Sequence, residues 1–378
     1  MSIFAAPLPV LPDVGDLRDR VRALVAATVP GNPAAHRANC WAVADVGFSR
    51  AAGAAGLIGM IWPERYGGHA RAPLERYVVL EELLAAGAPV AAHWIADRQT
   101  GPLLLRHGTE EQKLKLLPAM ARGELYACIG MSEPGAGSDL ASVRTRAERT
   151  KDGWRVNGQK LWTSGAHRAH IMIALVRTDP ASTRNAGLSQ LLVTMDTPGI
   201  TVRPVIDLTG THDFNEVFFD DVMLPHDALI GAEGEGWKQV TAELSLERSG
   251  PERYLSSFAL FVELMRWAGP EPDAAVAALI GRTAAELWTL RRMSWAVAAK
   301  LAGGEDPALE AAMVKDLGNS FEQALPPAVQ ALAEIDPAGA PELAAVLAQL
   351  LMVSPSFSLR GGTREILRGI IARGLGLR

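Results

Sequence analysis

The hydrophobic period of this chain changes twice, and no single-layer fold accommodates the change. From Asp16 to about Gly123 apolar residues recur at helical spacing, as in Leu17, Val21, Leu24 and Val25, and again across Pro73-Leu-Glu-Arg-Tyr-Val-Val-Leu-Glu-Glu-Leu-Leu84. Thr109-Glu-Glu-Gln112 has the spacing of a capping box and opens another helix toward Leu117. Between about Leu125 and Asp227 the pattern becomes strand-like. The runs are Val143 to Thr150, Trp154-Arg-Val-Asn-Gly158, Ile171 to Val176, Leu188 to Val193, Ile200 to Val205 and Val217-Phe-Phe219, with Asp152-Gly153 as a hairpin turn. After Gly236 the helical period returns, through Trp237 to Trp267, Ala274 to Leu301, Pro307 to Ile335, Pro341 to Met352 and Thr363 to Leu375. The expected class is α+β: an N-terminal α-helical domain at 1–123, a central antiparallel β domain at 124–233 and a C-terminal α-helical domain at 234–378. Blocks in this order are not the strand-helix alternation of a doubly wound nicotinamide-binding sheet. Gly153-x-x-x-x-Gly158-Gln-Lys160 also misses the P-loop, because Lys must follow the second Gly directly.

Composition narrows the function. With 378 residues, 48% hydrophobic and 21% charged, the chain has ample apolar surface for a core. A net charge of −5 with dispersed Lys and Arg gives no footprint for nucleic acid or anionic lipid. The two cysteines, Cys40 and Cys128, make no disulfide framework, and no Cys/His spacing fits a metal site. The longest uncharged stretch, Leu343 to Leu359, is interrupted by Gln349, Pro355 and serines, so no membrane span is expected. The first twelve residues lack a positively charged start and contain three prolines, and a cytoplasmic location is the expectation.

Chemistry concentrates in two segments. In Ala127-Cys-Ile-Gly-Met-Ser-Glu-Pro-Gly-Ala-Gly-Ser-Asp139, Pro134 fixes one φ. Gly135 and Gly137 permit φ > 0 and close backbone approach, so amides and the Ser132 and Ser138 hydroxyls can converge on a flat heteroaromatic or a phosphate. A plain turn between helix and strand is the alternative. In Asn157-Gly-Gln-Lys-Leu-Trp-Thr-Ser-Gly165, Trp162 can cover a ring face while Ser164 donates to a ring atom; a core Trp is the alternative.

These two segments resemble the signature stretches of the acyl-CoA dehydrogenase family. Four more follow the family order: Trp62-Pro-Glu-Arg-Tyr-Gly-Gly68, His107-Gly-Thr-Glu-Glu-Gln-Lys113, Phe214-Asn-Glu-Val-Phe-Phe-Asp-Asp-Val222 and Gly362-Thr-Arg-Glu-Ile-Leu-Arg-Gly-Ile-Ile-Ala-Arg373. The resemblance implies the family fold, with a C-terminal four-helix bundle, and FAD-dependent α,β-desaturation of a coenzyme A thioester. It implies cofactor contacts from Met131, Ser132, Gly137, Ser138, Trp162, Thr163 and Ser164, and from Thr363 and Glu365 near the chain end. Such chemistry needs one base, one electron sink and one oxyanion pocket. Most of the family carries Tyr-Glu-Gly-Thr near the C-terminus with Glu as base, whereas this chain reads Arg360-Gly361-Gly362-Thr363. The isovaleryl-type branch places its Glu in a Leu-Glu-Arg stretch, matched here by Leu246-Glu247-Arg248, so Glu247 is the expected base. Pro251, four residues on, is expected to kink that helix and aim Glu247 inward. Arg248, Ser138, Gly361 and Gly362 are the expected substrate contacts, with the Gly361 N–H a donor to the thioester oxygen.

His167 and His170 read as surface residues, and the arginines Arg291, Arg292, Arg364, Arg368 and Arg373, with Arg360, read mostly as solvated charges. Two family motifs that reach the flavin of a neighbouring subunit, Arg-x-x-Phe-Gly and Gln-x-x-Gly-Gly-x-Gly, are replaced by Arg266-Trp-Ala-Gly-Pro-Glu-Pro-Asp273 and Val329-Gln-Ala-Leu-Ala-Glu-Ile-Asp-Pro-Ala-Gly339. Two assemblies follow. One is a heteromer with a second acyl-CoA dehydrogenase-like chain, resembling the paired actinobacterial enzymes of steroid side-chain degradation. The other is a homo-oligomer whose cofactor contacts have diverged, using Arg282 or Arg291. The expected substrate is a branched or bulky acyl-CoA and the expected partner an electron-transfer acceptor protein. An acyl oxidase, a carrier-protein-linked relative and a non-catalytic subunit are the alternatives.

Overall fold

The computed structural model describes residues 14–29, 31–182, 184–246, 248–332 and 335–377. Its contacts gather into two compact units. One comprises Asp45–Ala70 and Ala91–Glu243; the other comprises the residues through Ala44, Arg71–Val90 and those from Leu244 onward.

The first unit is built on an eight-stranded sheet. Its strands are β1 Ala127–Gly130, β2 Arg146–Thr150, β3 Gly153–Lys160, β4 Ile171–Arg177, β5 Leu188–Thr194, β6 Ile200–Val205, β7 Phe214–Leu224 and β8 Leu229–Ile230. They pair in the order β6-β7-β3-β2-β4-β5-β8, with β1 also on β4. Most pairs are antiparallel, but β1 runs parallel to β4 from Ala127↔Ile171 to Gly130↔Ala174, and β2 meets β4 in parallel at Arg146↔Arg177. So β1 and β2 share one edge of β4 in succession, and the chain between them, residues 131–145, leaves the sheet and returns to it.

Alternation along β4 explains the layers. Met172, Ala174 and Val176 face a core with Trp154, Val156, Leu191, Val193, Val217 and Phe219. Ile171 and Ile173 turn the other way, onto Trp62, Leu104, Leu117 and Met120. The helices Gly101–His107 and Glu110–Ala121 supply that second layer; the latter starts with the expected capping box, the Thr109 hydroxyl accepting from the Gln112 N–H.

The second unit is helical. Leu260, Leu264, Leu279, Leu290, Phe321, Leu325, Val346 and Leu350 form its core from the helices Phe258–Ala268, Ala274–Ala302, Ala308–Leu332 and Pro341–Val353. Arg364–Gly374 follows, and Leu17–Thr28, Ala34–Ala38 and Pro73–Ala85 join the same unit from the N-terminal part of the sequence.

The continuous helix expected from Trp237 to Trp267 is broken. Gly236–Leu246 ends before Ser249-Gly250, and Pro251 opens a short 3-10 turn, Pro251–Arg253, ahead of Phe258–Ala268. Proline has no N–H to continue a helix and its ring crowds the carbonyl four residues back, so the expected kink is a stop. Glu247 lies outside the described residues. Among the described residues no helix is long and apolar enough to cross a membrane.

Candidate active site

In the sheet unit the two signature segments lie side by side. The Leu161 N–H donates to the Ser132 carbonyl at 2.9 Å, tying the stretch after β3 to the stretch after β1. Between them Glu133 and Ala136 exchange backbone hydrogen bonds of 2.9 and 3.0 Å around Pro134-Gly135, a closed turn. Neither Gly135 nor Gly137 takes a left-handed φ, which corrects the expectation; a Cβ at either would meet nothing within 4 Å. Glycine there leaves a bare, open backbone beside half-buried Met131 and Ser132 and exposed Ser138. The outer part of the loop is pinned by Arg177, whose guanidinium donates to the carbonyls of Ala141 (3.1 Å) and Val143 (3.2 Å).

The stretch after β3 is unusual in two successive residues. Trp162 has φ +59° and is 56% exposed, its indole edge-on to Phe214 at 5.7 Å. A bulky residue in the left-handed region is strained, so the fold holds this ring outward against a local cost. Thr163 is buried, yet its hydroxyl has no hydrogen-bond partner. Its backbone is fixed to buried Asn215 through Thr163 N–H to the Asn215 carbonyl (3.1 Å) and the Asn215 amide to the Thr163 carbonyl (2.9 Å). Ser164 follows, half-buried. A buried hydroxyl left unsatisfied beside an outward indole and a bare glycine loop fits a flat, polar-edged cofactor better than it fits a finished core.

His167 and His170 are exposed and already engaged. The His167 ring stacks on His212 at 3.9 Å and lies 3.2 Å from Asn215 Oδ1, while His170 Nδ1 accepts from the Tyr126 N–H at 3.0 Å. Among the described residues no three His, Cys, Asp or Glu side chains gather as a metal site.

In the helical unit Gly361 and Gly362 both have left-handed φ, +64° and +99°. The Lys315 Nζ, on the helix Ala308–Leu332, donates to the Gly362 carbonyl at 2.7 Å. A Cβ at Gly361 would lie 3.2 Å from an Arg253 Nη and 3.4 Å from Lys315 Cε, and one at Gly362 would lie 3.9 Å from an Arg248 Nη. So Arg248 does stand beside the glycine pair. Thr363 and Glu365 begin the helix Arg364–Gly374, with Thr363 at its N-cap position and Glu365 exposed in its first turn, where the Glu365 backbone and the Thr363 hydroxyl hold the carboxylate below its usual range.

Arg291, Arg360 and Arg364 are less solvated than the sequence implies, whereas Arg292, Arg368 and Arg373 are exposed. Arg360 is packed between Trp41 and Phe357, each ring 4.4 Å away, and donates to Ser256 Oγ (2.7 Å) and fully buried Glu322 (3.3 Å). Arg364 and Arg368 pair with Asp316. Arg291 is bidentate on Glu81 at 2.6 and 2.8 Å, Arg266 is paired with Glu263 at 2.6 Å, and Arg282 and Arg292 are exposed.

The sequence of residues 12–124 matches the acyl-CoA dehydrogenase N-terminal domain, and residues 128–222 match the acyl-CoA dehydrogenase middle domain. The chain belongs to the acyl-CoA dehydrogenase family. It is 41% identical over 264 residues to the acyl-CoA dehydrogenase IpdE1 of Mycobacterium tuberculosis, an alignment covering 68% of this chain and 66% of that one. Among the first curated relatives it spans 44 to 66% of their lengths. Its fold matches a solved structure described as the Tcur3481-Tcur3483 steroid ACAD with a TM-score of 0.84 at 29% identity, over 96% of this chain and 97% of the other. The ChsE4-ChsE5 complex from M. tuberculosis matches with a TM-score of 0.83 at 29% identity, over 98% and 99% of the two chains.

The sequence reading missed Lys160, Glu133, Asn215, Arg253 and Lys315. Glu133 lies in the first signature segment and Lys160 in the second, and Lys160 ends a strand of β-period residues, where a charge that cannot reach solvent must find an internal partner.

Proposed function

We propose that this chain is an FAD-dependent acyl-CoA dehydrogenase that introduces an α,β double bond into a branched or bulky acyl-CoA thioester, with Glu247 as the base. Bound FAD supplies the electron sink that takes up the hydride from the β-carbon. Met131, Ser132, Gly137, Ser138, Trp162, Thr163 and Ser164 would hold its ring system, and Thr363 and Glu365 are proposed as further cofactor contacts. The Glu247 carboxylate takes the α-proton, the Gly361 N–H donates to the thioester oxygen as enolate-like charge develops, and Arg248, Gly362 and Ser138 line the acyl-CoA side.

The observation that carries the reading is the buried, partnerless Thr163 hydroxyl beside the outward Trp162 ring, on the segment that also carries the family signature. Family membership and the IpdE1 and steroid ACAD likenesses support the acyl-CoA and steroid or lipid assignment. The likeness to the ChsE4-ChsE5 complex favours a heteromer with a second acyl-CoA dehydrogenase-like chain, as does the replacement of both motifs that reach a neighbour's flavin. The domain division at 123 and 233, the cytoplasmic location and an electron-transfer acceptor protein belong to the same proposal.

Purified protein loaded with FAD and mixed anaerobically with a panel of CoA thioesters is expected to lose its flavin absorbance with at least one branched or cyclic acyl group. Absence of bleaching with every thioester, alone and with the paired chain, would refute the assignment.

A further inference from the structure

The ion pair at the root of the two signature segments is the best-defined charged cluster in the sheet unit. Lys160, the last residue of β3, is completely buried. Its ammonium donates to Glu133 Oε1 at 2.8 Å and to the Met131 carbonyl at 3.1 Å. The Glu133 carboxylate also accepts the N–H groups of Arg144 (2.7 Å) and Thr145 (2.9 Å), where residues 131–145 rejoin the sheet at β2. Lys160 therefore holds the start of the loop directly and its end through Glu133, and the neighbouring Leu161 N–H binds the start again at Ser132.

The sequence makes room for this lysine. A Cβ at Gly130 would lie 2.6 Å from Met172 Sδ and 3.1 Å from Lys160 Cγ, so glycine as the last residue of β1 leaves room first for Met172 and then for the lysine stem. Burial pushes the Lys160 amine down to about 8, against the pull of Glu133. Burial also pushes the Glu133 carboxyl up, but Lys160 and the hydrogen bonds from Thr145 and Arg144 outweigh it and hold it below its usual value. Packing alone does not call for such a pair, because two desolvated charges are commonly no better for stability than apolar residues of the same volume. What an ion pair adds over an apolar contact is a fixed geometry.

We propose that Lys160 and Glu133 are positioning residues for the cofactor, locking the Met131–Ser138 loop and the Trp162–Ser164 stretch into one platform whose spacing sets flavin affinity; this rests on the reading of those stretches as the flavin site.

The test uses Lys160→Met, which keeps the stem volume and removes the charge, with the dissociation constant for FAD, the visible circular dichroism of bound flavin and the melting temperature of FAD-stripped protein as readouts. The expected result is about 30-fold weaker FAD binding and an altered flavin dichroism, while the FAD-stripped protein melts lower, because the Glu133 carboxylate is left buried without its cation; the dichroism is the readout that a merely structural loss would not move. Glu133→Gln, which opposes a side-chain NH2 to the backbone donors, is expected to weaken FAD binding in the same direction and decides the matter if Lys160→Met does not fold. FAD affinity within threefold of wild type overturns the proposal, and so does weaker binding with unaltered dichroism that merely tracks a fall in the melting temperature. If wild-type protein takes up no FAD, either alone or with the paired chain, the flavin reading falls and this proposal with it; wild-type uptake with unchanged variant affinity defeats this proposal alone.

Discussion

Substituting Lys315 by Met is expected to stabilise the protein at pH 7 and destabilise it at pH 10. Lys315 is fully buried, and its amine is pushed down to about 6 from 10.5 by burial first, then by Arg253, Arg360 and Arg248, while among the described residues Glu322 pulls the other way. Between those two values the folded chain holds a neutral amine and the unfolded chain a charged one, so unfolding takes up a proton. Wild-type stability therefore rises with pH across this window by roughly 1.4 kcal/mol per unit from this group, and is flat in its contribution below it. Deprotonation on folding costs about 5 kcal/mol at pH 7 and about 2 kcal/mol at pH 9. Methionine removes that cost but leaves the Gly362 carbonyl without its 2.7 Å donor, a loss of about 1–3 kcal/mol. The variant should gain about 2–4 kcal/mol at pH 7, match wild type near pH 9 and fall below it at pH 10. Urea midpoints of the two proteins at pH 7, 8, 9 and 10 measure this, because every other titrating group is common to both. Parallel curves, with a difference independent of pH, would show that Lys315 stays charged in the fold and refute the reasoning.

Thr163→Val removes the orphaned buried hydroxyl at nearly constant shape. The FAD-free protein is expected to gain up to about 1 kcal/mol in thermal or urea unfolding, while FAD titration shows about tenfold weaker binding. Glu247→Gln should keep FAD and lose about 10²–10⁴-fold in turnover of the reactive thioester, measured by flavin bleaching. Adding Gly361→Glu to that variant should not restore activity. The new side chain starts 3.2 Å from the Arg253 guanidinium and adopts φ +64°, so stopped-flow reduction stays at the Glu247→Gln level while unfolding reports a loss of about 1–2 kcal/mol. Gly130→Ala places a methyl against Met172 Sδ at 2.6 Å, and a melting scan should register about 1–3 kcal/mol of destabilisation.

The period changes that locate helices and strands were legible because each element buries one face, and burial writes its own spacing into the sequence. Strand pairing was less so. Nothing in Ala127-Cys-Ile-Gly130 says that it runs parallel to Ile171–Ala174 rather than beside its sequence neighbour β2, since partner choice is decided by contacts more than forty residues apart. The break after Leu246 was half legible. Pro251 was seen as a disturbance, but Ser249-Gly250-Pro251 together favour an end over a bend, and the chain takes the end.

Charged site residues were the least legible, and for a physical reason. A lysine or arginine reads as solvated unless something in its own segment forbids solvent, and the groups that bury Lys160, Lys315 and Arg360 lie elsewhere in the chain: Met131 and Glu133 for the first, Gly362 for the second, Trp41, Glu322 and Phe357 for the third. One signal was present all the same. The glycines at 361 and 362 both adopt backbone angles open mainly to glycine, and a Cβ on the first would crowd Arg253 and Lys315. A chain that has glycine where the family pattern has a carboxylate leaves those cations without a nearby anion from that position. The low proton affinity of Lys315 answers this electrostatically: one cation in the cluster gives up its proton, and the remaining amine can still donate to the Gly362 carbonyl. With glycine at 361 and the Lys315 amine pushed toward its neutral form beside it, a carboxylate placed at that position is expected to pair with Arg253 rather than act as a base.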